Sequence, residues 1–110
     1  MKLIEPEFQH EDGRRKLQQL FTKDIKQVNF AQAKQGAILG NHFHKETVEY
    51  FLITAGVLRY NDDKTLSKGD LFVVYPEEVH KLECLTDVDY VSFLTRPYLP
   101  EDTDIWVKES

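Results

Sequence analysis

The chain has 110 residues, is 41% apolar, and carries 19 Asp and Glu against 14 Lys and Arg, for a formal net charge of -5. That length suits one compact domain with no room for a second, and the apolar share is enough for one core. The acidic balance and the scattered Lys and Arg argue against a nucleic-acid partner, because phosphate binding needs clustered cations. Cys84 is the only cysteine, so no intrachain disulfide can form; it reads as a small buried strand residue. The first residues lack the apolar stretch of a signal peptide, and no apolar run is long enough to cross a membrane. A cytoplasmic protein is the expectation.

In chain order, "KLQQLF" (16–21) and "QVNFAQA" (27–33) read as strands of mixed alternation. Gly13 argues against a helix over the preceding "QHEDGRRKLQQLF". "GAILGNHFH" carries two glycines and then two histidines, and "TVEYFLIT" (47–54) is dense in β-branched and aromatic residues. Ala55 and Gly56 form a turn from which "VLRY" (57–60) returns; "NDDK" and "KGD" are further turns. "LFVVY" (71–75), "VHKLEC" (79–84) and "DYVSFL" (89–94) complete the set. Short strands at regular spacing with polar turns indicate an all-β antiparallel sandwich or barrel. The final "RPYLPEDTDIWVKES" reads as a tail over the sheet, anchored by Trp106.

In a strand, residues i and i+2 share a face, so His42 and His44 project together with Phe43 opposite. Two imidazoles on one face can grip one metal ion. Glu49 and the nearer Glu46 compete as the carboxylate ligand, and "HKET" around Glu46 looks like an exposed turn. His80 becomes a further ligand if "LFVVY" and the histidine strand lie side by side in a barrel. Three imidazoles and a carboxylate suit one divalent transition metal (Zn, Fe, Mn, Ni, Co or Cu) rather than Ca or Mg. His10 reads as an ordinary surface histidine.

These residues resemble the two cupin motifs. The first is written G-x5-H-x-H-x(3,4)-E-x6-G, and Gly36, His42, His44, Glu49 and Gly56 match every position. The second is written G-x5-P-x-G-x2-H-x3-N; Gly69 and His80 match, while Tyr75, Glu77 and Cys84 stand in the remaining slots. The resemblance covers roughly Gln27 to Leu94. It implies a small antiparallel β-barrel (double-stranded β-helix, jelly roll) spanning residues 1–110, with an N-terminal strand arm and a C-terminal tail packed on it. It also implies that His42, His44, Glu49 and His80 bind one divalent metal, which selects Glu49 over Glu46.

A narrower resemblance links the region from Glu7 to Glu46 to cupins acting on nucleotide-linked sugars. These are the dTDP-4-dehydrorhamnose 3,5-epimerase group and the C-terminal cupin of capsular polysaccharide reductases. Two positions depart from those chains: Asp12-Gly13-Arg14-Arg15 lacks their final glycine, and Leu39 replaces an arginine that would help hold a phosphate. The implied activity is isomerisation or epimerisation of a keto-sugar or sugar-like ligand bound in the barrel. Such a reaction needs a base and an enolate stabiliser. Tyr60 and Tyr75 are the candidate proton carriers. A metal-free epimerase would instead use His42 as a base, and a metal-dependent dioxygenase or a non-catalytic binding module are the other readings. Glu77 and Glu78 read as solvated turn charges near the mouth. Exposed apolar faces in such small β folds imply a homodimer.

Overall fold

The computed structural model describes residues 1–107; Lys108, Glu109 and Ser110, the end of the expected tail, lie outside the described residues. The strands are β1 (Lys2–Leu3), β2 (Phe8–Glu11), β3 (Lys16–Gln19), β4 (Gln27–Ala33), β5 (Ile38–His42), β6 (Glu49–Ala55), β7 (Val57–Tyr60), β8 (Lys64–Ser67), β9 (Leu71–Val74), β10 (His80–Cys84) and β11 (Val88–Leu94). Every pairing is antiparallel. A five-stranded sheet runs β1-β9-β6-β11-β4, a four-stranded sheet runs β5-β10-β7-β8, and β2-β3 is a separate hairpin. The expected all-β antiparallel fold is therefore present, as two sheets of a jelly roll rather than as a closed barrel. No helix among the described residues is long and apolar enough to cross a membrane.

The period-2 pattern explains the core. Phe51 and Ile53 of β6, Leu58 and Tyr60 of β7, Phe72 and Val74 of β9 and Leu82 and Cys84 of β10 are all buried between the sheets. Phe51 and Phe72 are direct cross-strand partners, and their rings stack with centroids 4.9 Å apart. Such a pair adds about 1 kcal/mol beyond its area burial. All four residues of β9 are buried, because its outer side is covered as well. The segment after β3 does part of this covering. Phe21 stacks on Tyr50 at 4.4 Å and meets Phe93 edge-on at 5.1 Å.

The N-terminal arm contains more structure than its sequence suggested. β1 extends the five-stranded sheet at its β9 edge. β2 and β3 form a hairpin whose eight residues are all exposed. Its turn is closed by Asp12, whose carboxylate accepts the backbone N–H groups of Arg14 and Arg15. The hairpin contributes to a long axis of 52 Å against 31 and 21 Å for the other two. β8 was likewise not anticipated, because its "KTLS" is short and mostly polar with only Leu66 facing inward.

The tail crosses back over the chain after β11 and is tied down at both Trp106 and Asp104. Trp106 is exposed to 44%, whereas Asp104, at 6%, is the buried residue. Trp106 instead pairs through its backbone with Phe43.

Candidate metal centre

β9, the "LFVVY" strand, pairs with β1 and β6 and not, as expected, with the histidine strand; it is β10 that pairs with β5, so that His42 lies directly opposite His80, with a bulge between His80 and Lys81. Cross-strand partners share a face, so both imidazoles enter the space between the sheets. His44 follows two residues after His42, in the loop that leads to β6. Glu49 opens β6 and comes from the opposite sheet. The ring centroids of the three histidines are 4.5 to 5.2 Å apart. One ligand nitrogen from each lies within 4.8 Å of the others. The Glu49 Oε1 is 3.2 Å from His44 Nε2 and 3.9 Å from His80 Nε2.

These residues fit a transition-metal ion. Donors about 2.1 Å from a shared ion sit about 3 to 4 Å apart, so the three imidazoles need draw in only slightly, and Glu49 already lies at that distance from His44 and His80. His44 and His80 are buried, with Glu49 and His42 partly buried. Glu46 does not join them; it is exposed and pairs with Arg96 at 3.3 Å. His10 lies on the exposed hairpin beside Asp12.

The imidazoles differ in charge. Burial, then the neighbouring His42 and His44, hold His80 down at about 4, well below the usual 6.5. Burial and His44 also lower His42. His44 goes the other way. Burial opposes its charged form, but hydrogen bonds to Glu49 and to the carbonyl of Asp104 outweigh it and raise the group. Near neutral pH, two of the three rings are thus neutral, as metal ligation requires.

A pH prediction follows for chelator-treated protein. The unfolded chain protonates His80 near 6.5, the folded chain only near 4. The unfolded state therefore takes the proton first, so stability falls as pH drops through that window, by about 3 kcal/mol at most. His44, raised in the folded state, contributes in the opposite sense and offsets part of the loss. Asp104, held well below the usual carboxylate range by its hydrogen bonds despite burial, adds a second loss below about pH 4. Urea titrations at pH 7, 5 and 4 measure this. Equal stability at pH 6.5 and pH 4 would contradict a buried neutral His80.

A small cavity of about 70 Å³ adjoins the cluster, bounded by His42, Glu49 and His80 and by Leu39, Phe51 and Tyr90. Neither Tyr60 nor Tyr75 lines it. Tyr60 is buried edge-on to Phe72, and among the described residues its hydroxyl finds no hydrogen-bond partner. Burial, and then the Glu78 carboxylate, push that hydroxyl up to about 12. Tyr75 is 43% exposed and lines a groove with the N-terminal arm. Tyr90 is the tyrosine beside the ligands. It lies in β11 on the inward face between Val88 and Ser92. Burial, then Glu49, raise its hydroxyl, which favours the protonated form. The alternation of "VDYVS" could have marked it. Of the two acids near the mouth, Glu77 is exposed as expected, while Glu78 is partly buried and pairs with the Met1 amino group.

Comparison with solved structures identifies the fold. The capsular polysaccharide assembling protein CapF from Staphylococcus aureus superposes with a TM-score of 0.63 at 24% identity, over 99% of this chain and 35% of CapF. The dTDP-6-deoxy-D-glucose-3,5-epimerase RmlC from Legionella pneumophila gives 0.70 at 19% identity, over 90% of this chain and 68% of that one. An uncharacterised conserved protein with a double-stranded β-helix domain from Klebsiella pneumoniae gives 0.62 at 18%, over 83% and 81%. Protein-family models and curated proteins give no match. The two antiparallel sheets are those of the double-stranded β-helix fold. Within that fold the chain is similar to CapF and to sugar-nucleotide 3,5-epimerases, and it spans about a third of the length of CapF.

Proposed function

We propose that His42, His44, Glu49 and His80 hold one divalent transition ion, and that the site isomerises or epimerises a sugar or sugar-like substrate next to a carbonyl. The supporting observation is the convergence of three imidazoles and a carboxylate on a cavity that Tyr90 also lines. A bound ion would polarise the carbonyl and stabilise an enolate. The α-proton would pass to the Glu49 carboxylate, which lines the same cavity, and Tyr90, kept protonated, would return a proton to the carbon skeleton. Leu39, Phe51 and Leu82 form apolar walls that keep water from that exchange. The cavity has room for about two waters at about 30 Å³ each, so it admits the carbonyl-bearing end of a substrate, while the remainder stays at the mouth. CapF has been solved with the inhibitor 3-isopropenyl-tropolone. A tropolone presents adjacent carbonyl and hydroxyl oxygens, the donor pair of a hydroxyketone. We place this activity in the cytoplasm, where the free thiol of Cys84 stays reduced.

The test combines metal analysis with proton exchange. Mass spectrometry of wild type and His80→Ala reads the bound metal, and proton NMR in deuterated water reads exchange next to the carbonyl of ketoses. Metal that falls in the variant, and exchange that drops about 100-fold or more in Tyr90→Phe with metal retained, are the expected results. Metal-dependent ligand binding without any exchange would make the chain a binding module instead. Absence of metal after reconstitution would end the metal reading and return His42 to the role of free base.

The homodimer belongs to the same proposal. Val28 and Phe30 on β4 stand exposed at 59% and 63%, beside Val91 and Phe93 on the outer face of the five-stranded sheet. Light scattering is expected to give twice the chain mass for wild type and the chain mass for a Val28→Ser, Phe30→Ser variant. A monomeric wild type would refute it.

A further inference from the structure

The C-terminal segment carries one buried charged side chain that the sheets do not require. Asp104 sits in the left-handed region at φ 52°. Its Oδ1 accepts the Lys45 backbone N–H at 3.0 Å and the Trp106 indole N–H at 3.0 Å. Its Oδ2 accepts the backbone N–H groups of Glu46 and Thr47, both at 2.9 Å, and the Thr47 hydroxyl at 2.8 Å. Three consecutive amides of the loop between His44 and Glu49 thus close on one carboxylate. The backbone carbonyl of the same residue accepts the Nδ1–H of His44 at 2.8 Å.

Resting on the metal reading above, we infer that Asp104 is a positioning residue of the site, which fixes both the place and the tautomer of His44. A carbonyl oxygen can only accept, so Nδ1 keeps its proton; Nε2 donates to Glu49 in the metal-free ring, and it is Nε2 whose lone pair is left for an ion once that proton leaves. That Nε2 is the atom 3.2 Å from Glu49 Oε1, on the side of the other two imidazoles. The carboxylate does not touch the ring; it holds the loop that carries the ring. Further ties lock the segment in place. Phe43 and Trp106 exchange two backbone hydrogen bonds, Lys45 stacks over the indole at 3.7 Å, and Arg96 joins Asp102 to Glu46. An orienting partner of this kind changes metal affinity because it sets ligand direction before the ion arrives.

The decisive variant is Asp104→Asn, which keeps the shape but turns an NH2 group toward donors. Zinc affinity, read by competition with a chromophoric chelator, is expected to fall about 10- to 100-fold. In nitrogen-15 histidine spectra, wild-type His44 is expected with Nδ1 protonated, with and without metal, and the variant with Nδ1 only partly protonated. Trp106→Phe, which removes one donor and keeps the carboxylate, is expected to bind zinc like wild type. A purely structural Asp104 would lower the melting temperature of Asp104→Asn and leave zinc affinity and tautomer unchanged, which would overturn the inference. If the variant does not fold, the wild-type spectrum decides: an unprotonated Nδ1 at His44 overturns it. If wild type takes up no zinc, the metal reading fails, and the tautomer measurement still judges Asp104.

Discussion

Replacing His42 and His44 together with alanine is expected to reduce bound metal from near one equivalent to background. Two of four donors leave, and the remaining pair, His80 Nε2 and Glu49 Oε1, lies 3.9 Å apart. Four-donor protein sites bind zinc with roughly 10 to 16 kcal/mol, so losing half the donors corresponds to about 5 kcal/mol, or a factor of about a thousand or more. The fold is expected to persist, because His42 is only partly buried, both removals take a like charge from beside His80, and loss of the buried His44 ring leaves the Asp104 carboxylate on the amides of Lys45, Glu46 and Thr47. Metal content measured by mass spectrometry on folded double variant checks this. Full occupancy there would show that the ion sits elsewhere.

The largest effect on stability is expected at Gly56, in the turn between β6 and β7. Its φ is +88°, and a Cβ built there would lie 2.0 Å from the backbone oxygen of Asp87 and 2.9 Å from Thr86 Oγ1. Those atoms also serve the fold, since Thr86 Oγ1 accepts the Val57 N–H at 3.0 Å. Gly56→Ala must therefore move backbone rather than a flexible side chain. Left-handed strain and overpacking each contribute about 1 to 3 kcal/mol, so a loss on the order of 3 kcal/mol or more is expected. Chemical denaturation measures it, and a loss below 1 kcal/mol would mean that the turn is looser than its geometry. Gly40 is a milder case nearer the metal ligands: a Cβ there meets the His80 carbonyl oxygen at 2.8 Å.

Much of this was legible from local pattern. β4 has the bounds read for it, and the main strands from β5 to β11 fall within a residue or two of the expected segments, β8 excepted. Alternation of apolar and polar residues is a local signal. The same is true of the H-x-H spacing, and the glycine pattern around it carried the resemblance that joined Glu49 and His80. Tertiary closure was not legible. Asp104 reaches partners 57 to 60 residues away, and nothing in "EDTDIW" distinguishes it from Asp102, which is exposed. Tyr60 and Tyr75 are the tyrosines expected at the barrel mouth, while placement beside the ligands belongs to Tyr90, whose face is set by the register of β11 against β6. β3 lies within the strand read at 16–21, but its partner β2 escaped notice, because "FQHE" is short, exposed throughout and holds one apolar residue, Phe8.

The donor set draws on both sheets, with His42 and His80 from one and Glu49 from the other. An ion held there is a rivet through the sandwich. Anything that parts the sheets must first let go of it, and anything that strips it unpins them. Heat resistance then becomes a matter of free metal concentration: an excess of 100 times the dissociation constant adds about 2.7 kcal/mol. Amide exchange in β5 and β10 should slow along with it, since breathing of the sandwich and release of the ion are one motion.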